Sequence, residues 1–179
     1  MCGSVACGLL SLPAIAACDL SAPEKGMVAA VIDGENVKLA DGRIVRLIGA
    51  KAATPPLGYR GEDPWPLVNE AKAALSRAAS GKEVELRYGG SRADRHGYAL
   101  AQVYVIGGAE PVWLQQDLVG QGLARVYSFS DNRSCVTQLL ASEAEAREKR
   151  LGVWASPAYR IESADDRALG ASHPVLSAG

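Results

Sequence analysis

Two Asp-Gly pairs, Asp33-Gly34 and Asp41-Gly42, interrupt a stretch of short β-branched runs near the start of the chain. An Asp-Gly pair between apolar runs is a strong local signal for a β-hairpin, because both residues tolerate the backbone angles of a tight turn. Two in succession predict a three-strand meander built from Met27–Ile32, Val37–Ala40 and Ile44–Ile48. Such a meander excludes an all-helical fold and fixes a β core against which the rest of the chain must pack.

The stretch 52–66 reads differently, since four prolines and two glycines predict a loop. Beyond it, Leu67, Val68, Ala71, Leu75 and Ala78 recur at the spacing of one helical face, and Gly81 supplies a C-terminal stop. Val84–Tyr88 and Ala99–Ile106 predict two further strands. Val112–Val119 and Cys135–Arg150 predict two more helices. On the last, Glu143–Arg147 and Glu145–Lys149 stand at i,i+4 on an expected solvated face. The pattern predicts a mainly β fold with flanking helices (α+β), namely a five-stranded OB-type barrel plus three α-helices. The domain is expected over 27–160, after a linker at 18–26 and before an Ala-, Ser- and Asp-rich tail at 161–179.

A chain of 179 residues, 48% of them hydrophobic, is ample for one such core. Nineteen basic residues against twenty acidic give a net charge of −1, which argues against an avid, nonspecific nucleic-acid binder and leaves a local basic groove open. Residues 1–17 carry no charged side chain, and the apolar run Val5–Leu12 is far shorter than the ~20 residues of a spanning helix, so no membrane span is expected. With small residues at Ala14-Ile15-Ala16-Ala17, this segment reads as a signal peptide, and the chain as periplasmic or secreted, although no Lys or Arg precedes the apolar run. Cleavage there leaves Cys18 and Cys135 of the four cysteines, and an oxidising compartment then favours a Cys18–Cys135 disulfide. Ile15-Ala16-Ala17-Cys18 also reads as a lipobox, which would anchor the chain by lipid at Cys18 and leave Cys135 a free thiol. No Cys-x-x-Cys and no His cluster supports a zinc site.

Asp33-Gly34-Glu35-Asn36-Val37-Lys38-Leu39, Asp41-Gly42 and Val45-Arg46-Leu47-Ile48-Gly49 are followed by Asp94-Arg95-His96-Gly97-Tyr98. Then come Leu118-Val119 with Gly122-Leu123-Ala124, and Ser142-Glu143-Ala144-Glu145-Ala146-Arg147 ahead of Gly152-Val153-Trp154. In this order and spacing, from Met27 to about Trp154, the chain resembles the thermonuclease (staphylococcal nuclease-like) family. The resemblance implies an OB barrel with three helices and calcium-dependent cleavage of nucleic-acid phosphodiesters. That chemistry needs oxygen ligands for calcium, a carboxylate base for water and arginine forks for the phosphate.

By the resemblance, Glu35 stands at the first calcium carboxylate, one methylene longer than the family's aspartate, with Asp33 beside it. Arg46 keeps a phosphate-binding arginine. Lys51 replaces the second calcium aspartate, Ala52 a threonine that lends only its carbonyl, Thr54 the base glutamate and Tyr98 the second arginine. These losses imply a catalytically impaired nuclease homologue acting as a binding module, with no cofactor expected. The alternative is a calcium-dependent phosphodiesterase on DNA or RNA with a rearranged site, using Glu62 or Asp63 as base and Arg95 for a lost arginine.

Blander readings stand beside these. Asp33-Gly34 serves as a plain turn, Arg46 pairs with Glu35 across the meander, or Lys51 pairs with Glu35 in the cation's place. Arg95, Tyr127 and Phe129 are candidate substrate-binding residues; the two rings either stack on bases or pack over the barrel mouth. His96 is a lone exposed histidine, and Trp65, Trp113 and Trp154 are assigned to packing. An OB groove accommodates single-stranded nucleic acid, a protein or a peptide alike, and a monomer is expected.

Overall fold

A computed structural model of the chain describes residues 18–159. The expected signal peptide at 1–17 and tail at 161–179 lie outside the described residues. The meander is present as β1 (Glu24–Val31), β2 (Asn36–Leu39) and β3 (Ile44–Leu47), antiparallel with Val31 opposite Val37 and Val37 opposite Val45. Two later strands, which we number β5 (Glu83–Arg87) and β6 (Ala99–Val105), complete the barrel. β1 pairs with β5, β5 with β6, and β6 lies parallel to β3, with Val45 opposite Ala99 and Leu47 opposite Ala101. The five strands therefore form a closed ring of OB type, each hydrogen-bonded to two of the others.

The turns differ in mechanism. Gly42 has φ +91°, the left-handed conformation that glycine adopts without steric cost, and Asp41 braces that turn by accepting from the Arg43 N–H at 3.0 Å. The first turn is wound instead by the Asp33 carboxylate, which accepts from the N–H groups of Glu35 and Asn36, each at 2.8 Å. Gly34 is required there by close approach: a Cβ on it would lie 2.8 Å from the Ala52 Cβ and 2.9 Å from that of Ala71.

Alternation along the strands puts Val28, Val37, Leu39, Val45, Leu47, Val84 and Leu86 inside the barrel. Three helices cover it: α1 (Val68–Ala79), α2 (Leu114–Gly120) and α3 (Val136–Glu148). α1 buries Ala71, Ala74, Leu75 and Ala79, and Gly81 beyond its end is left-handed as a stop residue should be. The second helix is shorter than the sequence suggests. Val112 and Trp113 form β7 against Val105 and Tyr104, because the β6 edge offers hydrogen bonds to these residues after Pro111.

Two elements were not expected at all. β4 (Gly49–Ala52) and β8 (Ala124–Tyr127) pair antiparallel, with Lys51 opposite Arg125. The expected linker is also part of the fold: Glu24 to Met27 pair with β5, and the Ser21 N–H donates to the Tyr88 carbonyl at 2.8 Å. On α3, the expected solvated face is wrong at Glu143, which is 7% exposed. Its carboxylate accepts from the Val126 N–H at 2.8 Å and pairs with Arg147 at 3.2 Å, tying β8 to α3. Glu145–Lys149, at 3.5 Å, is the exposed pair that the spacing suggests.

The Cys18–Cys135 disulfide is formed, with Cα atoms 5.0 Å apart, and joins the start of the described chain to the residue before α3 across 117 positions. No helix of the described residues is long and apolar enough to cross a membrane. Closing so long a loop removes entropy from the unfolded chain, so Cys18→Ser is expected to cost about 2–4 kcal/mol in urea unfolding. Intact-mass measurement should show one added hydrogen per sulfur on reduction; equal stability of the variant and the oxidised protein would contradict the assignment.

Candidate functional site

The site lies where the β1–β2 turn, β3, β4 and the turn before β6 converge. Asp33 belongs to the turn: beside its two backbone bonds, both of its oxygens accept from Asn36 Nδ2, at 2.9 and 2.8 Å. Winding the turn this way presents the next carboxylate, Glu35, to β4. Glu35 Oε1 lies 2.8 Å from Lys51 Nζ, and Oε2 accepts from the Ala52 N–H at 3.2 Å. The Glu35 side chain is 13% exposed and that of Lys51 47%, so the pair is anchored on the carboxylate side and open to solvent at the ammonium. The Lys51–Glu35 pairing suggested by the sequence is thus present.

Arg46 does not pair with Glu35. Its Nη1 donates to Asp94 Oδ2 at 3.0 Å, its Nε to Asn36 Oδ1 at 3.2 Å, and its guanidinium lies 5.3 Å from the centre of the Tyr98 ring. The reason is topological: closure of β3 onto β6 brings Arg46 opposite Leu100, beside the Asp94–Tyr98 turn that leads into β6. The other Asp94 oxygen accepts from the N–H groups of His96 at 2.8 Å and Tyr98 at 3.0 Å. Burial pushes the Asp94 carboxyl up, but those two N–H groups and the Arg46 charge outweigh it and hold the group below its ordinary value. Tyr98, at the second arginine position, therefore offers a ring to Arg46 rather than a charge to a ligand.

The remaining candidates are more scattered. Arg95 is exposed and donates through Nε to His96. Tyr127 and Phe129 are 54% and 45% exposed and meet edge to face at 5.1 Å, so they cover each other at the end of β8 and present free ring surface. Thr54 is exposed on the loop after β4 and lines a cleft of about 260 Å³ with Lys51, Arg125 and Tyr159. Glu62 and Asp63 are exposed, and neither side chain bonds to Arg46 or Lys51 among the described residues. The loop that carries them is held by an aromatic cluster, Tyr59 against Trp65 at 4.9 Å and Trp65 against Tyr159 at 6.2 Å.

Calcium takes six to eight oxygen ligands. Here one carboxylate carries an ammonium and an N–H, the other is consumed by its own turn, and no cluster of three or more His, Cys, Asp or Glu residues gathers among the described residues. That donor set does not fit the ion. Reading by sequence missed two partners that shape this arrangement. Asn36, 6% exposed, was detectable as a polar residue in an inward strand position, and Asp94 as the first residue of an Asp-x-x-Gly turn.

Barrel, helices and the arrangement at its mouth define a thermonuclease-like domain. A model of the family described as staphylococcal nuclease homologue matches residues 45–156, and the chain belongs to that family. It is 27% identical over 131 residues, 72% of its length, to the SPbeta prophage-derived endonuclease YokF of Bacillus subtilis (strain 168), of which the match covers 43%. It is 37% identical over 71 residues, 39% of its length, to Endonuclease YncB of the same organism, covering 32% of that protein. An uncharacterized protein of Bacillus anthracis is 28% identical over 135 residues, 73% of this chain and 60% of the relative. The chain thus spans less than half the length of the two endonucleases.

Asp94 anchors the turn and neutralises Arg46 together, so Asp94→Ala is expected to cost about 1–3 kcal/mol at neutral pH, read from urea unfolding. Because the folded-state value is lowered, this contribution is present above about pH 4 and is lost as the pH falls further through that lowered value. The gap between wild type and variant should therefore close in acid. A gap that widens there would contradict the assignment.

Proposed function

We propose that this chain is an exported, catalytically impaired member of its family that uses the barrel for binding rather than for metal-dependent hydrolysis. The observation that carries the reading is the Lys51 ammonium 2.8 Å from Glu35 Oε1, at the positions that match the family's calcium carboxylates. An internal cation there repels a divalent one; at about 4 Å and an effective dielectric near 20, even two unit charges interact by about 4 kcal/mol. Without a metal, a water molecule keeps its high pKa, and the Thr54 hydroxyl is no carboxylate base at neutral pH. Arg46 already gives its Nε to Asn36 and an Nη1 hydrogen to Asp94, and the Asp94 carboxylate offsets the charge it would present to a phosphate. Export is supported by the Cys18–Cys135 disulfide, since such bonds persist in oxidising compartments. Single-stranded nucleic acid and a protein or peptide segment are the ligand classes that the barrel mouth suits, and no cofactor enters this reading.

The second reading is a calcium-dependent endonuclease with a rearranged site. It is supported by Arg46 and Glu35 at the mouth and by the similarity to the two Bacillus subtilis endonucleases. Cleavage of single- and double-stranded DNA and RNA, with calcium or with EDTA, separates the two. The proposal predicts no calcium-stimulated cleavage by the natural chain, and a gain of it when Lys51→Asp, Thr54→Glu and Tyr98→Arg are combined. EDTA-sensitive cleavage by the natural chain that Arg46→Ala abolishes would establish the second reading instead.

A further inference from the structure

Beside the barrel mouth, the loop after β4 and the end of β8 enclose the 260 Å³ cleft already noted. Its lining is unusual in charge. Lys51 and Arg125 stand directly opposite in the β4–β8 register, an arrangement that is unfavourable for like charges unless each finds a counter-charge. Lys51 has one in Glu35. Arg125 has no carboxylate partner among the described residues. Its guanidinium lies 5.0 Å from the Trp154 ring and 5.6 Å from that of Tyr159, and one Nη donates to the Tyr159 carbonyl. Its Nε is buried with no hydrogen-bond partner. Tyr159 is no counter-ion: its hydroxyl donates to the Pro66 carbonyl at 2.7 Å, and burial pushes its pKa up to about 12.

A partly buried guanidinium that lines an open cleft with no carboxylate partner among the described residues is an arrangement that an anion relieves. One uncompensated positive charge calls for a monoanion. The walls contributed by Pro55 and Pro56 are apolar, so the anion's body must be apolar too. The volume matches roughly nine waters at ~30 Å³ each, the size of a single-ring acid. We propose that this cleft binds a small organic carboxylate, its head on Arg125 and its apolar body against Pro55 and Pro56, with Thr54 at the rim. The inference concerns the flank of the same loop but does not depend on the loss of hydrolysis, and its test reads binding rather than cleavage.

The probe is benzoate, titrated into the full chain at constant ionic strength, with tryptophan fluorescence and calorimetry as readouts; dimethyl phosphate is the matched phosphodiester monoanion. Saturable one-to-one benzoate binding is expected with Kd below about 10 mM. Arg125→Gln should weaken it at least about tenfold, as expected for a lost charge-assisted hydrogen bond. Thr54→Trp, at an exposed position, should abolish binding by filling the rim, and it carries the test if thermal melting shows Arg125→Gln to be unfolded. Absence of saturation, undiminished binding by Thr54→Trp, or dimethyl phosphate binding as tightly as benzoate would overturn the proposal.

Discussion

The parallel pairing of β3 with β6 is the constraint on which everything else rests. Without Val45, Arg46 and Leu47 against Ala99, Leu100 and Ala101, the strands would form an open sheet with two exposed edges. The pairing joins segments more than fifty positions apart, and its loop-closure entropy is offset by the apolar interior that the ring encloses. Closure also has a chemical consequence. It sets the Asp94 turn against Arg46 and leaves Gly49–Ala52 to continue past the ring, where β8 pairs with it and directs Lys51 toward Glu35.

At the barrel mouth the two inward cations are therefore matched from within. Arg46 has Asp94 and Lys51 has Glu35, whereas the exposed Arg95 has no carboxylate among the described residues and bonds only to His96. Such pairs hold the turns in register but also lower the potential available to a polyanion, in keeping with a net charge of −1. A phosphate entering the mouth would meet Arg46 and Lys51 already offset by protein carboxylates. Arg125, directly opposite Lys51 on β8, has no such match among the described residues; its guanidinium meets aromatic rings and a carbonyl.

The meander, the barrel strands and α1 were legible because their signals are local: Asp-Gly turns, alternation with period two and a helical face ending at a glycine. β4 and β8 were not, since Gly-Ala-Lys-Ala and Ala-Arg-Val-Tyr have little pattern of their own and become strands only by pairing across more than seventy positions. Glu143 misled for a related reason. Its i,i+4 partner Arg147 marks a solvated face, whereas burial of the carboxylate follows from a β8 N–H that no helical spacing reveals. At the site, the identities of Glu35, Lys51, Thr54 and Tyr98 were readable by resemblance, and so was the Lys51–Glu35 pair. The partner of Arg46 was not, because the choice between Glu35 and Asp94 is made by strand closure.

Under the proposed function, the Lys51 ammonium occupies the charge position that a metal would need. Calcium titration of the purified chain by calorimetry tests this directly, with the Lys51→Asp variant alongside. The claim predicts no binding with Kd below about 1 mM in the natural chain, and measurable binding once the ammonium is replaced by a carboxylate. Tighter binding by the natural chain, unchanged in Lys51→Asp, would contradict it.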